Sequence, residues 1–173
     1  MNDRATMAPL EHQRVDDHAA RFGVHPIVIG ILHARGYDTP EAIDEFLHAD
    51  LADMHSPFLL NGMYEAARRI RKAIDGRERI GIFADSDLDG ITSLAVIYNL
   101  LSRMKIEPFL RYLKDEENYG ITNEIIDEFR ENGVSLMITV DSGIRDISEI
   151  SYARTLGLDV IVTDHHEPDL ELP

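Results

Sequence analysis

Cysteine is absent from the 173 residues. Without thiols there are no disulfides and no zinc–thiolate sites, so any bound metal must be held by carboxylates and imidazoles. Basic side chains are scarce as well: 17 Lys and Arg stand against 32 Asp and Glu, a net charge of −15 and a poor footprint for general nucleic-acid binding. Long apolar runs are missing too. No window approaches the ~18 uninterrupted apolar residues of a membrane span, and the opening MNDRATMAPLEHQRVDD lacks the apolar centre of a signal peptide. A cytoplasmic protein without membrane contact is therefore expected. What is present suffices for a core, because 44% of residues are hydrophobic and the length fits one domain or a domain with a small appendage.

The net charge hides local structure. Arg68, Arg69, Arg71, Lys72, Arg77 and Arg79 fall within twelve positions and read as the solvated face of a helix. Clustered carboxylates also lower net charge, and they bind divalent cations before they meet phosphate.

The first 20 or so residues are polar without clear periodicity. The run 26-PIVIGILHAR-35 predicts a short helix stopped by Gly36, and Thr39-Pro40 makes an N-cap and N1 pair for a helix over 40–48. Pro57 disfavours helix in the connector 54–62, after which 63-MYEAARRIRKAI-74 carries a single apolar stripe. Beyond Gly76 the texture changes. Four β-branched, apolar runs (79–84, 107–113, 135–140 and 159–163) alternate with helical segments. Of these, 91–104 is apolar nearly all round and is expected to be buried, 122–133 is amphipathic, and 146–157 opens with Asp146 and Glu149 as a capping box. The pattern predicts an α/β fold: a parallel sheet of at least four strands flanked by helices, preceded by a small helical region. The helical region is placed at 1–56 and the α/β domain at 57–173.

In an open parallel sheet, ligands bind beyond the carboxyl ends of the strands. The first β run hands over to Asp85-Ser-Asp87-Leu-Asp89-Gly90, the third to Asp141-Ser-Gly, and the fourth to Asp164-His165-His166. Turn chemistry explains one Asp at a strand end but not five Asp and two His on one edge. A calcium loop starting at Asp85 would need Glu at its twelfth position, which is Val96. A phosphotransferase D-x-D-G-T would need Thr after Gly90, where Ile91 stands. Three Asp in five residues repel one another, and a divalent cation relieves that repulsion. Adjacent histidines at a strand end point to different sides, so one of them suits direct ligation and the other a phosphate or a supporting bond. Oxygen-rich ligation with one or two imidazoles suits manganese or magnesium better than zinc.

Together 82-IFADSDLDGITS-93, 137-MITVDSGI-144 and 160-VIVTDHHEP-168 resemble the first three motifs of the DHH phosphoesterase superfamily, and within it the RecJ branch of single-strand-specific exonucleases. The stretch 36–63 is similar to the helical lead-in of that branch, and 116-EENYGIT-122 resembles its Tyr-Gly-Leu segment. The resemblance implies metal ligation by Asp87, Asp89, Asp141 (bridging two ions) and His165, with Asp85 as a further motif carboxylate. It implies that Asp164 orients a neighbouring imidazole and that His166 meets the scissile phosphate. Two Mn²⁺ or Mg²⁺ ions would serve phosphodiester hydrolysis of single-stranded DNA from the 5′ end, with DNA repair or replication proteins as partners. Ala84, Ser86 and Lys114 depart from the usual Gly, Tyr and Arg.

A fourth-motif Asp and a second, substrate-closing domain have no counterpart after His166. The chain is therefore expected to be the N-terminal part of a longer enzyme and, alone, inactive or weakly active. Two other readings stand beside this one: a catalytically silent scaffold of the same fold, and a phosphoesterase of short oligonucleotides or cyclic dinucleotides.

Overall fold

The computed structural model describes residues 9–114, 117 and 119–173. Internal contacts divide the chain into two compact units, Met1–Leu59 and Leu60–Pro173.

The first unit is helical: α1 (Pro9–Phe22), α2 (Pro26–Ala34), α3 (Pro40–His48) and a single 3₁₀ turn at Pro57–Leu59. Helix α1 lies where no periodicity was expected. Its signal is thin, resting on Val15 and Ala19 one turn apart, with Phe22 following. These close on Ile29, Leu32 and Ile43 from α2 and α3. The N-cap of α3 forms as expected, Thr39 Oγ1 accepting from the Ala42 amide at 3.2 Å. At α2 the cap is His25, whose Nδ1 accepts from the Ile27 amide at 3.2 Å.

The second unit comprises α4 (Met63–Asp75), β1 (Ile80–Ala84), α5 (Leu88–Arg103), β2 (Phe109–Tyr112), α6 (Asn123–Glu131), β3 (Leu136–Val140), α7 (Ile147–Thr155) and β4 (Asp159–Thr163). The four strands form one sheet in the order β2-β1-β3-β4, and every pairing is parallel. Alternation sorts the side chains. Ile80, Ile82 and Ala84 of β1, with Leu136, Ile138 and Val140 of β3, pack with α4 and α5. Phe83 and Met137 face the other way, toward Ile125, Ile126 and Phe129 of α6 and Ile150 and Ala153 of α7. Gly81 belongs to that second face, where a Cβ would come within 2.6 Å of the Phe129 ring. Strands β1 and β3 are buried throughout, whereas β4 at the end of the sheet is half-buried.

Two local expectations fail. Helix α5 is not buried: only Gly90 and Leu101 are, while Val96 is 67% and Leu100 54% exposed. An apolar helix lying on a sheet buries one stripe, here Gly90, Leu94, Ile97 and Leu101, whatever the rest of its surface carries. The Asp146–Glu149 capping box is absent as well, because the Asp146 carboxylate makes no cap bond to α7. No helix among the described residues is long and apolar enough to cross a membrane.

Candidate metal centre

Register builds the site. Ala84 of β1 pairs with Val140 of β3, and Val140 pairs with Thr163 of β4. The next residue on each strand is then Asp85, Asp141 and Asp164, a row of three carboxylates across the carboxyl edge.

From β1 the chain turns directly into α5. Asp85 is 7% exposed and its Oδ1 accepts from the Ser86 amide at 2.6 Å. Asp87 is the N-cap, its Oδ1 accepting from the Gly90 amide at 3.0 Å. That backbone bond holds its carboxyl below the usual range. Gly90 permits the tight turn, since a Cβ there would lie 2.4 Å from the Asp85 carbonyl oxygen. Asp89 sits in the first helical turn with its side chain 72% exposed.

Asp141 is the most constrained member. Its backbone is left-handed, at φ +58°, and its amide is tied to the Thr163 carbonyl at 2.9 Å. The residue is 6% exposed, yet neither carboxylate oxygen accepts a well-aligned hydrogen bond, and its near neighbour is the His165 ring. Burial, then the charge of Asp87, pushes its pKa up. Unusual backbone geometry and an orphaned buried carboxylate together mark a residue held for a ligand.

The two histidines approach the same carboxylate. His165 Nε2 lies 3.0 Å from Asp141 Oδ1 and 3.9 Å from Asp89 Oδ2. His166 Nδ1 lies 3.9 Å from Asp141 Oδ1 and 2.7 Å from Asp164 Oδ1. The Asp164 side chain is wholly buried. Burial opposes its charge, but the His166 amide at 3.0 Å, the Ile144 amide at 3.0 Å and the His166 ring outweigh that and hold its pKa down. The same pair raises the pKa of His166. Asp164 thus holds the imidazole of His166, two positions on, and not that of His165.

Among the described residues, donor atoms fall into two groups, each within 4.8 Å: Asp85, Asp87 and Asp141, and Asp141, His165 and His166. Asp141 belongs to both. Asp89 was expected among the converging ligands. It stands at the margin instead, lining with Ser93, Asp141, Thr163 and His165 an open cavity of about 330 Å³. The residues fit divalent cations. Hard oxygen donors predominate, two imidazoles complete the set, and the shared carboxylate has no well-aligned hydrogen bond to lose.

Sequence reasoning did not place Tyr119 here. Its hydroxyl lies 3.3 Å from His166 Nδ1 although 47 positions separate the two residues. Partial desolvation, then the charges of Asp164, Asp85 and Asp141, pushes its pKa up to about 12. The Tyr-Gly pair just beyond the end of β2 was the available signal.

Residues 79–173 match the DHH family, N-terminal domain. The chain is 41% identical, over 94% of its length, to the single-stranded-DNA-specific exonuclease RecJ of Bacillus subtilis, and 34% identical over 75% to RecJ of Thermus thermophilus. It spans about a fifth of the length of each. A crystal structure of RecJ in complex with Mn²⁺ from Thermus thermophilus aligns over 100% of this chain and 24% of that one, with a TM-score of 0.68 and 27% identity. A crystal structure of exonuclease RecJ bound to manganese aligns over 66% of this chain and 30% of that one, with a TM-score of 0.61 and 33% identity.

Proposed function

The chain belongs to the DHH family, and from that footing we propose that it is the front part of a RecJ-like, Mn²⁺- or Mg²⁺-dependent nuclease that removes nucleotides from the 5′ end of single-stranded DNA. The α/β domain from residue 57 onward carries the chemistry in this reading, with residues 1–56 as a helical lead-in. Cytoplasmic residence and contact with DNA repair or replication proteins belong to the same reading.

One observation carries it. Asp141 offers two buried oxygens that accept no well-aligned hydrogen bond, and it stands in both ligand groups. Asp85 and Asp87 would hold one cation with it, and His165 the other, with Asp89 completing the exposed side. Divalent cations held there supply positive charge opposite a phosphodiester as it gains negative charge during hydrolysis. The protein's own part is positioning. Asp164 fixes the rotation of the His166 ring, leaving Nε2 as the nitrogen turned to a scissile phosphate. A silent scaffold would have no use for a buried carboxylate faced only by imidazoles and other carboxylates, whose removal would relieve a cost.

The test uses the longer protein of which this chain is proposed to be the front part, with single-stranded DNA labelled at its 5′ end. With Mn²⁺ present, label should be released as short products, and Asp89→Ala or His165→Ala should abolish release. Degradation that needs no divalent cation, or that proceeds only from the 3′ end, would overturn the reading.

A further inference from the structure

Asp146 precedes α7 at the position where an aspartate ordinarily caps, yet its carboxylate is turned away from the helix. Its Oδ2 accepts instead from the backbone amide of Ile121, 25 positions earlier, at 2.7 Å. Its Oδ1 presses on Gly120, where a Cβ would come within 2.9 Å and where φ is +97°. No residue with a side chain could take that place without moving the carboxylate. The placement carries a cost. Burial, then the charges of Glu149 and Asp164, opposes ionisation of Asp146, and only the Ile121 amide favours it.

Ile121 is itself 5% exposed, part of the core that α6 and α7 share. The turn Tyr119–Gly120–Ile121 is therefore pinned at its far end by one side chain. A second tether acts just before it. Glu117 pairs with the buried Arg111, which also binds Glu128 of α6 at 3.0 Å, and Glu117 Oε2 accepts from the Lys114 amide at 2.8 Å. Between the two tethers Tyr119 is 59% exposed and reaches His166, hydroxyl to Nδ1 at 3.3 Å and ring edge to ring face at 5.9 Å between centroids.

We propose that Asp146 is a positioning residue for the candidate centre, acting through the 119–121 turn to seat Tyr119 against His166. The Nδ1 side of His166 then has two partners, Asp164 and Tyr119, which fix the ring in both tilt and rotation. This rests on the reading that His166 turns its Nε2 to a phosphate. Asp146 itself touches no reacting atom.

Two measurements test it together. In nuclear magnetic resonance spectra, a contact between the ring protons of Tyr119 and His166 should be present in the native protein and lost in Asp146→Ala. It should return in Asp146→Asn, whose amide oxygen still accepts from Ile121. In hydrolysis of labelled single-stranded DNA by the longer protein that contains this chain, Asp146→Ala should lower kcat roughly tenfold with little change in KM, and Asp146→Asn should restore it. Should Asp146→Ala fail to fold, Glu117→Ala, at the exposed tether, should weaken the same ring contact and lower kcat in step. Persistence of the contact in the folded Asp146→Ala or Glu117→Ala protein would overturn the proposal. So would its loss with kcat unchanged, which would make the turn merely structural. Failure of the metal reading is separable: Mn²⁺ binding unaffected by Asp141→Asn would remove that reading and leave the ring-contact result standing.

Discussion

The two edges of the sheet use charge in opposite ways. At the amino edge, half-buried Arg69 of α4 spends two nitrogens on two carboxylates: Nη2 on Glu78 at 2.6 Å and Nε on Asp159 at 2.6 Å. Glu78 also accepts from the Ser135 hydroxyl at 2.9 Å. One cation thus ties α4 to the entry points of β1, β3 and β4. At the carboxyl edge the carboxylates gather without an arginine or lysine among the described ligand groups, and buried Asp141 has no amide or hydroxyl donor, only the ring of His165 beside it. The same strands carry a closed set of ion pairs at one end and an open set of ligands at the other. Charge spent on neighbours stabilises a fold, and charge withheld from neighbours is available to a ligand.

The contrast can be broken from either end. The largest effect is expected at the carboxyl edge. Asp141→Asn keeps the left-handed backbone accessible, because Asn tolerates it, but removes the shared charge. Mn²⁺ affinity by calorimetry should fall on the order of 100-fold, while the melting temperature holds or rises. A fall in both would mean that Asp141 serves the fold.

At the amino edge the expectation reverses. Arg69→Ala should lower unfolding free energy by about 2–3 kcal/mol in urea, since it strips a half-buried pair of charge-assisted bonds, and should leave Mn²⁺ affinity unchanged. A change in affinity would show that the two ends are coupled through the strands. The smallest effect is one of pH. The bond from Arg69 holds the Glu78 carboxyl below its usual range. A group depressed in the folded state stabilises above its unfolded pKa, and that contribution disappears as pH falls through the folded value. Glu78→Gln should therefore cost ~1 kcal/mol near neutral pH and nothing in strong acid. A difference that persists at pH 2 would assign the cost to packing.

The strands and their ends were legible because both signals are local. Four short apolar runs give the sheet, and parallel order then places Asp85, Asp141 and Asp164 in one row. What was missed depended on distant partners. Val96 and Leu100 stay exposed because α5 buries a single stripe against the sheet, which the composition of α5 cannot express. Asp146 and Glu149 have the spacing of a capping box, but a better acceptor site at Ile121, far away in sequence, claims the carboxylate. Helix α1 was hidden for a related reason. Among its described apolar residues, Val15, Ala19 and Phe22 pack inward, too few to make a period visible.

Strand order has a consequence for how the centre comes into being. Within β1–β2, Gly81 meets Phe109 about 28 positions on, and within β3–β4, Leu136 meets Asp159 about 23 positions on. The join between those pairs is longer, since Ile80 must find Leu136 about 56 positions away. Closing the longer loop costs ~0.8 kcal/mol more in chain entropy than closing the shortest. The two outer pairs are thus the cheaper nuclei, and the central seam is the step that unites them. Asp85, Asp87 and Asp89 travel with one nucleus; Asp141, Asp164, His165 and His166 travel with the other. The candidate centre straddles the seam, so its ligands first meet when the sheet becomes whole, and a cation that bridges them would bind only the finished domain.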